Sequence, residues 1–231
     1  LVRLVSEAEL AALGFTSPAE LCAGERFAPG QVPRQGLPEA PDSSALTVAD
    51  CRLALETDYQ LYQAFGSSGA LTDYVTGLIG AVSAQYFTDV QATLSIAYLG
   101  IHTSSNDGWT SQYTGGDAGD LLDEFMTDWG TSWPATADLA HFISGASLGG
   151  GVAYVDVLCS PGFGFGVSGN ITGNIDWGTW TGAASNFTWD FMVVAHELGH
   201  NFGSPHTHDY CPPLDPSNTR CSGTTACARG T

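Results

Sequence analysis

The chain contains no lysine, and all six of its basic residues are arginine. Against them stand 24 Asp and Glu residues, which gives a formal net charge of −18. Proteins that bind nucleic acid neutralise phosphates with clustered basic side chains. No cation is available for this between residues 53 and 219, so the sequence argues against a nucleic-acid partner. The excess of like charges favours solubility and would attract basic substrates, and a salt-loving or marine source would produce the same balance. The arginines are Arg3, Arg26, Arg34, Arg52, Arg220 and Arg229.

Long hydrophobic runs are also missing. The 231 residues are 43% hydrophobic, enough for one globular domain with a core, yet no run approaches the roughly 20 apolar residues of a membrane-spanning helix. No secretory hydrophobic region begins at Leu1, and the first residue is not Met. We therefore expect a protein without a membrane span whose original N-terminus has been removed. Nothing in the sequence indicates an oligomeric state.

Cysteine is sparse but even in number, with six residues. In a chain that otherwise reads as secreted, an even number predicts disulfide bonds, although the pairing cannot be deduced from sequence. A metal site formed by these cysteines is less favoured, because no two of them have the Cys-x-x-Cys spacing. The cysteines are Cys22, Cys51, Cys159, Cys211, Cys221 and Cys227.

The segment from His196 to His206 carries the chemistry of the chain. His196 and His200 are four residues apart, which places both imidazoles on one face of a helix. Gly203 can adopt positive φ, end that helix and turn the chain so that His206 reaches the same ion. Three histidines leave one open coordination position on a tetrahedral zinc. The spacing therefore predicts a catalytic zinc site.

Glu197 is the only acid within this motif. It is the natural general base for a water held on the open zinc position, and it would return the proton to a leaving amine. A bare His-Glu-x-x-His pattern also occurs by chance on surface helices. The extension to Gly203 and His206 makes that interpretation poor.

The extended motif resembles that of the metzincin metallopeptidases, and its surroundings are similar to the reprolysin-like, adamalysin-related branch. The resemblance runs from about Cys51 to the C-terminus. It implies a secreted zinc endopeptidase that acts on proteins or peptides. It also implies an α/β fold with a mixed twisted sheet, an antiparallel edge strand over the cleft and an active-site helix that carries the zinc ligands.

Residues 149–155, followed by Cys159, look like the edge strand that pairs with substrate in this family. Residues 138–145 are similar to the segment that leads into that strand. The resemblance thus implies that substrate binds along Gly151, Val152, Ala153 and Tyr154.

The methionine-containing turn that metzincins carry below the zinc has no counterpart here. Met126 and Met192 both precede His206, whereas this turn follows the third histidine. Residues 227–231 look like the approach to such a turn, so we expect a chain truncated before it.

Residues 1–45 are predicted to be a propeptide remnant or N-terminal linker, with the catalytic domain over residues 46–231. Four prolines and two glycines between Ala28 and Ser44 favour extended chain. In a number of metzincins a propeptide cysteine caps the zinc, and Cys22 is a candidate for this latch. An ordinary disulfide at Cys22 is the alternative.

Hydrophobic periodicity predicts alternating strands and helices, with the active-site helix beneath the sheet. A half-buried strand is expected at Leu53 to Thr57, and an apolar strand at residues 92–101. Helices are expected around residues 75–86, after a cap at Asp120, and from about Trp189.

Other motifs give weaker alternatives. Residues 145–149 match the nucleophile elbow of serine hydrolases around Ser147, but a strand rather than the required helix is expected to follow. Residues 164–169 match the dinucleotide fingerprint and are interpreted as a loop. A catalytically silent metzincin-like binding module is a further alternative, against which the intact Glu197 argues.

Four acids raise the question of calcium binding, but solvated acids at a helix start explain them better. Calcium is therefore an unsupported addition to the predicted zinc ion. The four acids are Asp117, Asp120, Asp123 and Glu124.

Overall fold

A six-stranded sheet lies at the centre of the computed structural model, which describes residues 22–29, 48–158, 160, 162–174 and 189–206. The strand order is β1-β5-β6-β4-β2-β3. Every neighbouring pair is parallel except β5 and β6. The predicted mixed sheet with one antiparallel strand is confirmed. The strands are β1 Cys22–Arg26, β2 Ala49–Thr57, β3 Ala92–Gly100, β4 Leu139–Ile143, β5 Gly151–Tyr154 and β6 Phe165–Ser168.

Within the described residues four α-helices accompany the sheet, each begun by a polar or acidic residue where the cap is described. Asp117, rather than the predicted Asp120, caps the third helix. Its carboxylate accepts from the Asp120 N–H, and the Asp120 carboxylate accepts from the Asp117 N–H, both at 3.0 Å. The second acid thus completes a capping box instead of starting the helix. The helices are α1 Tyr59–Phe65, α2 Ser68–Val90, α3 Ala118–Trp129 and α4 Trp189–Asn201.

Helices cover both faces of the sheet. Leu53 and Leu55 of β2 pack in one core with α2 and α4, while Ala54 packs in a second core with α3. The prediction of a half-buried β2 is wrong, because residues 53–57 are all buried. A central parallel strand enclosed on both faces has no solvent side, and even Glu56 is buried there.

Two strands and one helix differ from the sequence-based expectation. Residues 165–168 form the buried strand β6 rather than a loop, and α1 was not predicted. Residues 22–26, which fall in the predicted linker segment, form β1 and extend the sheet beyond β5. These five residues therefore belong to the same sheet as the strands of residues 46–231.

No helix within the described ranges is long and apolar enough to cross a membrane. Cys51 is buried on β2. The side chain of Cys22 and the other four cysteines lie outside what the structure describes, as do residues 207–231 and most of the predicted linker. The predicted disulfides and the predicted truncation thus stay predictions.

Candidate metal centre

Helix α4 brings His196 and His200 to one face, as their spacing predicts. Their Nε2 atoms are 3.1 Å apart, and the His206 Nε2 lies 3.3 Å from that of His196. One ligand atom from each of the three residues lies within 4.8 Å of the others. Three imidazole nitrogens therefore converge on one point.

The turn after α4 delivers His206. Gly203 has φ of +97°, as its place in the motif predicts. Its N–H donates to the His200 carbonyl at 2.8 Å, and the Ser204 N–H donates to the Gly199 carbonyl at 3.0 Å. This pair of bonds is the Schellman motif, which requires a left-handed residue where Gly203 stands. The helix thus ends at Asn201, directly after His200, and the chain reverses toward the other two imidazoles.

The tautomer of His200 follows from its hydrogen bond. The His200 Nδ1 lies 2.8 Å from the Ser204 carbonyl oxygen, which can only accept. Nδ1 must therefore carry the proton, which leaves the Nε2 lone pair facing the other histidines. This arrangement prepares His200 as a metal ligand.

The donor set fits zinc. Zinc binds imidazole nitrogen at about 2.0–2.1 Å, so two ligands in a tetrahedron are separated by about 3.4 Å. The Nε2 separations of 3.1 and 3.3 Å are close to that value. Three neutral nitrogens with an adjacent carboxylate are the ligand chemistry of a catalytic zinc site, which keeps one position open.

A buried acid anchors the start of α4. Asp190 is fully buried, and its carboxylate accepts a 2.5 Å hydrogen bond from the Tyr74 hydroxyl of α2. The backbone N–H groups of Thr172 and Asn174 donate to the same carboxylate. Burial, together with the Asp190 charge, raises the pKa of Tyr74 well above its usual range. The helix is therefore fixed at its first turn, before it reaches the histidines.

Glu197 lies directly against the start of β5. It is fully buried, and a Cβ placed on Gly151 would be 2.6 Å from its Cγ and 2.7 Å from its Oε1. Only glycine allows this approach, because real Cβ atoms do not come within 3.0 Å of other heavy atoms. The segment predicted to bind substrate is thus in direct contact with the predicted base, which sequence reasoning did not foresee.

The outer edge of β5 is paired with β1. Cys22 lies opposite Gly151, and Arg26 lies opposite Tyr154. The Val155 N–H donates to the Arg26 carbonyl at 2.8 Å, while the Arg26 guanidinium pairs with Asp123 of α3 and donates to the Gly119 carbonyl. In this structure the chain's own N-terminal segment occupies the edge predicted for substrate.

Ser147 and two other histidines, His102 and His141, do not join the cluster of three histidines. Ser147 is exposed in the loop from β4 to β5, so the strand-to-helix elbow of a serine hydrolase is not formed. The His102 imidazole pairs with Glu56, and the His141 Nε2 bonds the Ser168 hydroxyl at 2.9 Å. His208 lies outside the described residues.

The four acids considered for calcium each have a partner within the protein. Asp117 and Asp120 cap α3, and Asp123 pairs with Arg26. Glu124 accepts hydrogen bonds from the N–H and hydroxyl groups of Thr110 and Ser111. These contacts support the structural interpretation of the cluster.

Zinc metallopeptidases are the class of protein that this site indicates. Its features are two histidines on one helix, a third delivered by the turn at Gly203, and an acid next to the first histidine. A family model described as Reprolysin_5, metallo-peptidase family M12, matches residues 47–231. The chain belongs to this reprolysin-like metallopeptidase family. Members of the M12 family use zinc, in agreement with the donor set formed by the three histidines. The predicted metzincin-like, reprolysin-related identity is confirmed.

A search of curated proteins found no match. Among solved structures, one described as a chaperone-substrate complex shares 14% identity, with a TM-score of 0.45 over 69% of this chain and 24% of that one. Metalloproteinase-II from Bacteroides fragilis shares 16% identity, with a TM-score of 0.40 over 86% of this chain and 51% of that one. The chain spans about a quarter and about half of their lengths. Resemblances this distant carry no argument about function.

Proposed function

We propose that the protein is a secreted zinc endopeptidase that hydrolyses peptide bonds in proteins or peptides. The observation that carries this proposal is the convergence of three histidine Nε2 atoms beside the buried carboxylate of Glu197. Membership of a metallopeptidase family supports the reaction class. Secretion is supported by composition alone, and fractionation of the producing cells tests it.

In the proposed reaction His196, His200 and His206 hold the zinc ion. Zinc, when bound in such a site, polarises a carbonyl and lowers the pKa of water to about 7. Glu197 accepts the proton of the attacking water and donates it to the leaving amine. Because water attacks directly, no side chain of the protein forms a covalent intermediate.

Substrate is proposed to bind as an extended strand along β5, from Gly151 to Tyr154. A sheet edge binds a peptide through main-chain hydrogen bonds, and this edge begins where Gly151 touches Glu197. A bound peptide would therefore pass close to the base. The net charge of −18 favours peptides with basic residues.

A peptide-library experiment tests this function. The zinc-loaded chain is expected to cut, to lose activity with a chelator and to regain it when zinc is restored. A Ser147→Ala variant serves as the control, because the serine-hydrolase alternative predicts the reverse: activity insensitive to chelation and abolished in Ser147→Ala. If the chain binds zinc but cuts no peptide, even after limited proteolysis has removed β1, the silent binding module is favoured.

We further propose that residues 1–45 include a propeptide that keeps the enzyme latent. The support is the pairing of β1 with β5, since β1 and a substrate strand cannot share one edge. Cys22 lies opposite Gly151, which itself contacts Glu197. The backbone of the proposed cysteine latch is thus one strand away from the base.

Limited trypsin digestion tests latency. Without lysine, trypsin can cut only after arginine, and cuts after Arg26 or Arg34 detach β1 from the catalytic domain. Peptidase activity is expected to rise when mass spectrometry shows either cut. Activity that is unchanged after release of β1 would contradict latency. A Cys22→Ser variant that stays latent until it is digested would contradict the cysteine latch. It would not contradict latency caused by the pairing of β1 with the β5 edge.

A further inference from the structure

The side chain of Asn201 joins the end of the zinc-binding helix to two strands of the sheet. Asn201 directly follows His200 and is fully buried. Its Nδ2 donates to the Tyr154 carbonyl of β5 at 2.8 Å and to the Phe165 carbonyl of β6 at 3.1 Å. Both amide hydrogens are therefore used to hold α4 on the sheet.

The orientation of this amide is fixed by its partners. Carbonyl oxygens only accept, so Nδ2 must face the two strands and Oδ1 must face away from them. The Asn201 Oδ1 and the His141 Nδ1 are buried without a hydrogen-bond partner in the described part of the protein. They lie 3.2 and 2.9 Å from the place that a Cβ on Gly166 would take. Glycine at residue 166 thus leaves the room that the amide needs.

Strand β5 is attached to α4 at both ends. At its start, Gly151 touches Glu197. At its end, Asn201 bonds the Tyr154 carbonyl, and the next two N–H groups after Val155 donate to the carbonyls of His200 and Asn201 at 2.9 and 3.0 Å. The strand proposed to bind substrate is therefore tied to the helix that carries the base and two of the histidines.

We propose that Asn201 is a positioning residue for peptide hydrolysis, which fixes β5 against α4 and so sets the place of the scissile bond relative to Glu197 and the histidines. This inference rests on the proposed function. A misplacement of about 1 Å in a reacting geometry can cost roughly 100-fold in rate. Asn201 is not one of the three converging histidines, and its Nδ2 bonds only strand carbonyls, so its loss acts through geometry and lowers kcat while the metal site stays intact.

Three variants separate positioning from folding. Asn201→Leu keeps the size of the side chain and removes both donors. Gly166→Ala presses on the same amide from β6, and also on His141 and on Ala153 of β5, while the sequence of α4 stays unchanged. It carries the test if Asn201→Leu fails to fold. Ser168→Ala is the matched control, because it removes the buried partner of His141 without touching the bonds of Asn201. For each zinc-loaded and trypsin-treated chain, kcat and KM are measured on one fluorogenic peptide and expressed per bound zinc.

We expect kcat per bound zinc to fall roughly 10- to 100-fold in Asn201→Leu and Gly166→Ala, with KM within about threefold of the parent. Ser168→Ala is expected to retain the parent kcat per bound zinc. Parent-like kcat in both test variants would overturn the inference, and so would an equal loss in Ser168→Ala. A parent chain that binds zinc but cuts no peptide would contradict the proposed function and this inference with it. If the parent cuts peptides and both test variants are as active as the parent, only this inference is contradicted.

Discussion

At the scale of single residues, the contact between Gly151 and Glu197 is the tightest constraint on the site. A methyl group on residue 151 would overlap the Glu197 carboxylate at 2.6–2.8 Å. Gly151→Ala is therefore expected to displace the base and lower kcat by roughly 100-fold or more, with zinc content unchanged. Steady-state kinetics with metal analysis checks this, and a fully active Gly151→Ala variant would contradict the proposed constraint on the position of Glu197.

A second glycine gives the matched control. Gly80 lies within α2, and a Cβ there would meet nothing within 4 Å. Gly80→Ala is expected to leave kcat unchanged and to raise the free energy of unfolding by about 0.5–1 kcal/mol, because glycine is unfavourable in a helix interior. Urea unfolding measures this effect.

The buried His141 makes the stability of the protein depend on pH. Complete burial lowers the pKa of His141 to about 3, so the imidazole is neutral in the folded protein. The unfolded chain has a histidine pKa of about 6.5 and binds this proton first as the pH falls. The unfolded state is thereby favoured, and the contribution of His141 to stability is lost progressively between about pH 6.5 and pH 3.

The expected size of the effect is about 2 kcal/mol of unfolding free energy lost between pH 7 and pH 5. Urea unfolding of the parent and of His141→Gln at the two pH values isolates the histidine, since the other titrating groups are common to both chains. The parent is expected to lose more stability than the variant over this range. Parallel losses would show that His141 does not titrate in this way.

At the scale of elements, the Arg26 side chain adds a contact to the backbone pairing that holds β1 on β5. Arg26 pairs with Asp123 of α3 and donates to the Gly119 carbonyl, both outside the sheet. Arg26→Ala is expected to loosen β1 with little change in global stability, because partly exposed ion pairs contribute little. Hydrogen exchange of residues 151–157 should become faster, since the Val155 N–H is bonded to β1. Peptidase activity before trypsin treatment should rise.

Arg52→Ala is the control for this prediction. Arg52 also pairs with an aspartate, Asp138, but at β2 and away from β1. Arg52→Ala is expected to leave hydrogen exchange in β5 at the parent rate. If Arg26→Ala behaves like Arg52→Ala, then Arg26 does not control the docking of β1.

Elements with a strong local signal could be predicted from the sequence, and those formed by long-range pairing could not. The apolar spacing of α2 and the ligand spacing of α4 identify both helices. The segment Cys22–Arg26 has no alternating apolar pattern, and it becomes a strand only by pairing with β5, far along the chain. In β6 a glycine in the strand and glycines on both sides gave the segment the composition of a loop.

The site also has some features with a local sequence signal and others that depend on long-range contacts. His196 and His200 recur at helical spacing and Gly203 ends the helix, so the convergence of the three histidines could be predicted. The role of Asn201 depends on carbonyls 36 and 47 residues away, and the role of Gly151 depends on how closely β5 approaches α4. No sequence pattern reports such distances.

At the scale of the whole molecule, the net charge of −18 predicts a response to salt. Self-repulsion of like charges destabilises the compact state, and salt screens it over a Debye length of about 10 Å at 0.1 M. The unfolding temperature should therefore rise by a few degrees between low salt and about 0.5 M NaCl, roughly 1 kcal/mol in stability. A fall in the unfolding temperature would contradict this account.

Calcium chloride at matched ionic strength is the control for this salt effect. An equal shift with calcium and sodium is expected, because the acids around α3 already have partners within the protein. A much larger shift at low calcium concentration would instead reveal a calcium site.

The most direct test of the account is a cleavage map of a mixed peptide library by mass spectrometry, with the parent and Glu197→Ala compared at equal zinc content after trypsin treatment. The parent is expected to make internal cuts that disappear in the variant, while both chains bind one zinc ion through the three histidines. Equal cleavage by the two chains would contradict the role of Glu197 as base. No cleavage by a zinc-loaded parent freed of β1 would contradict the proposed peptidase itself.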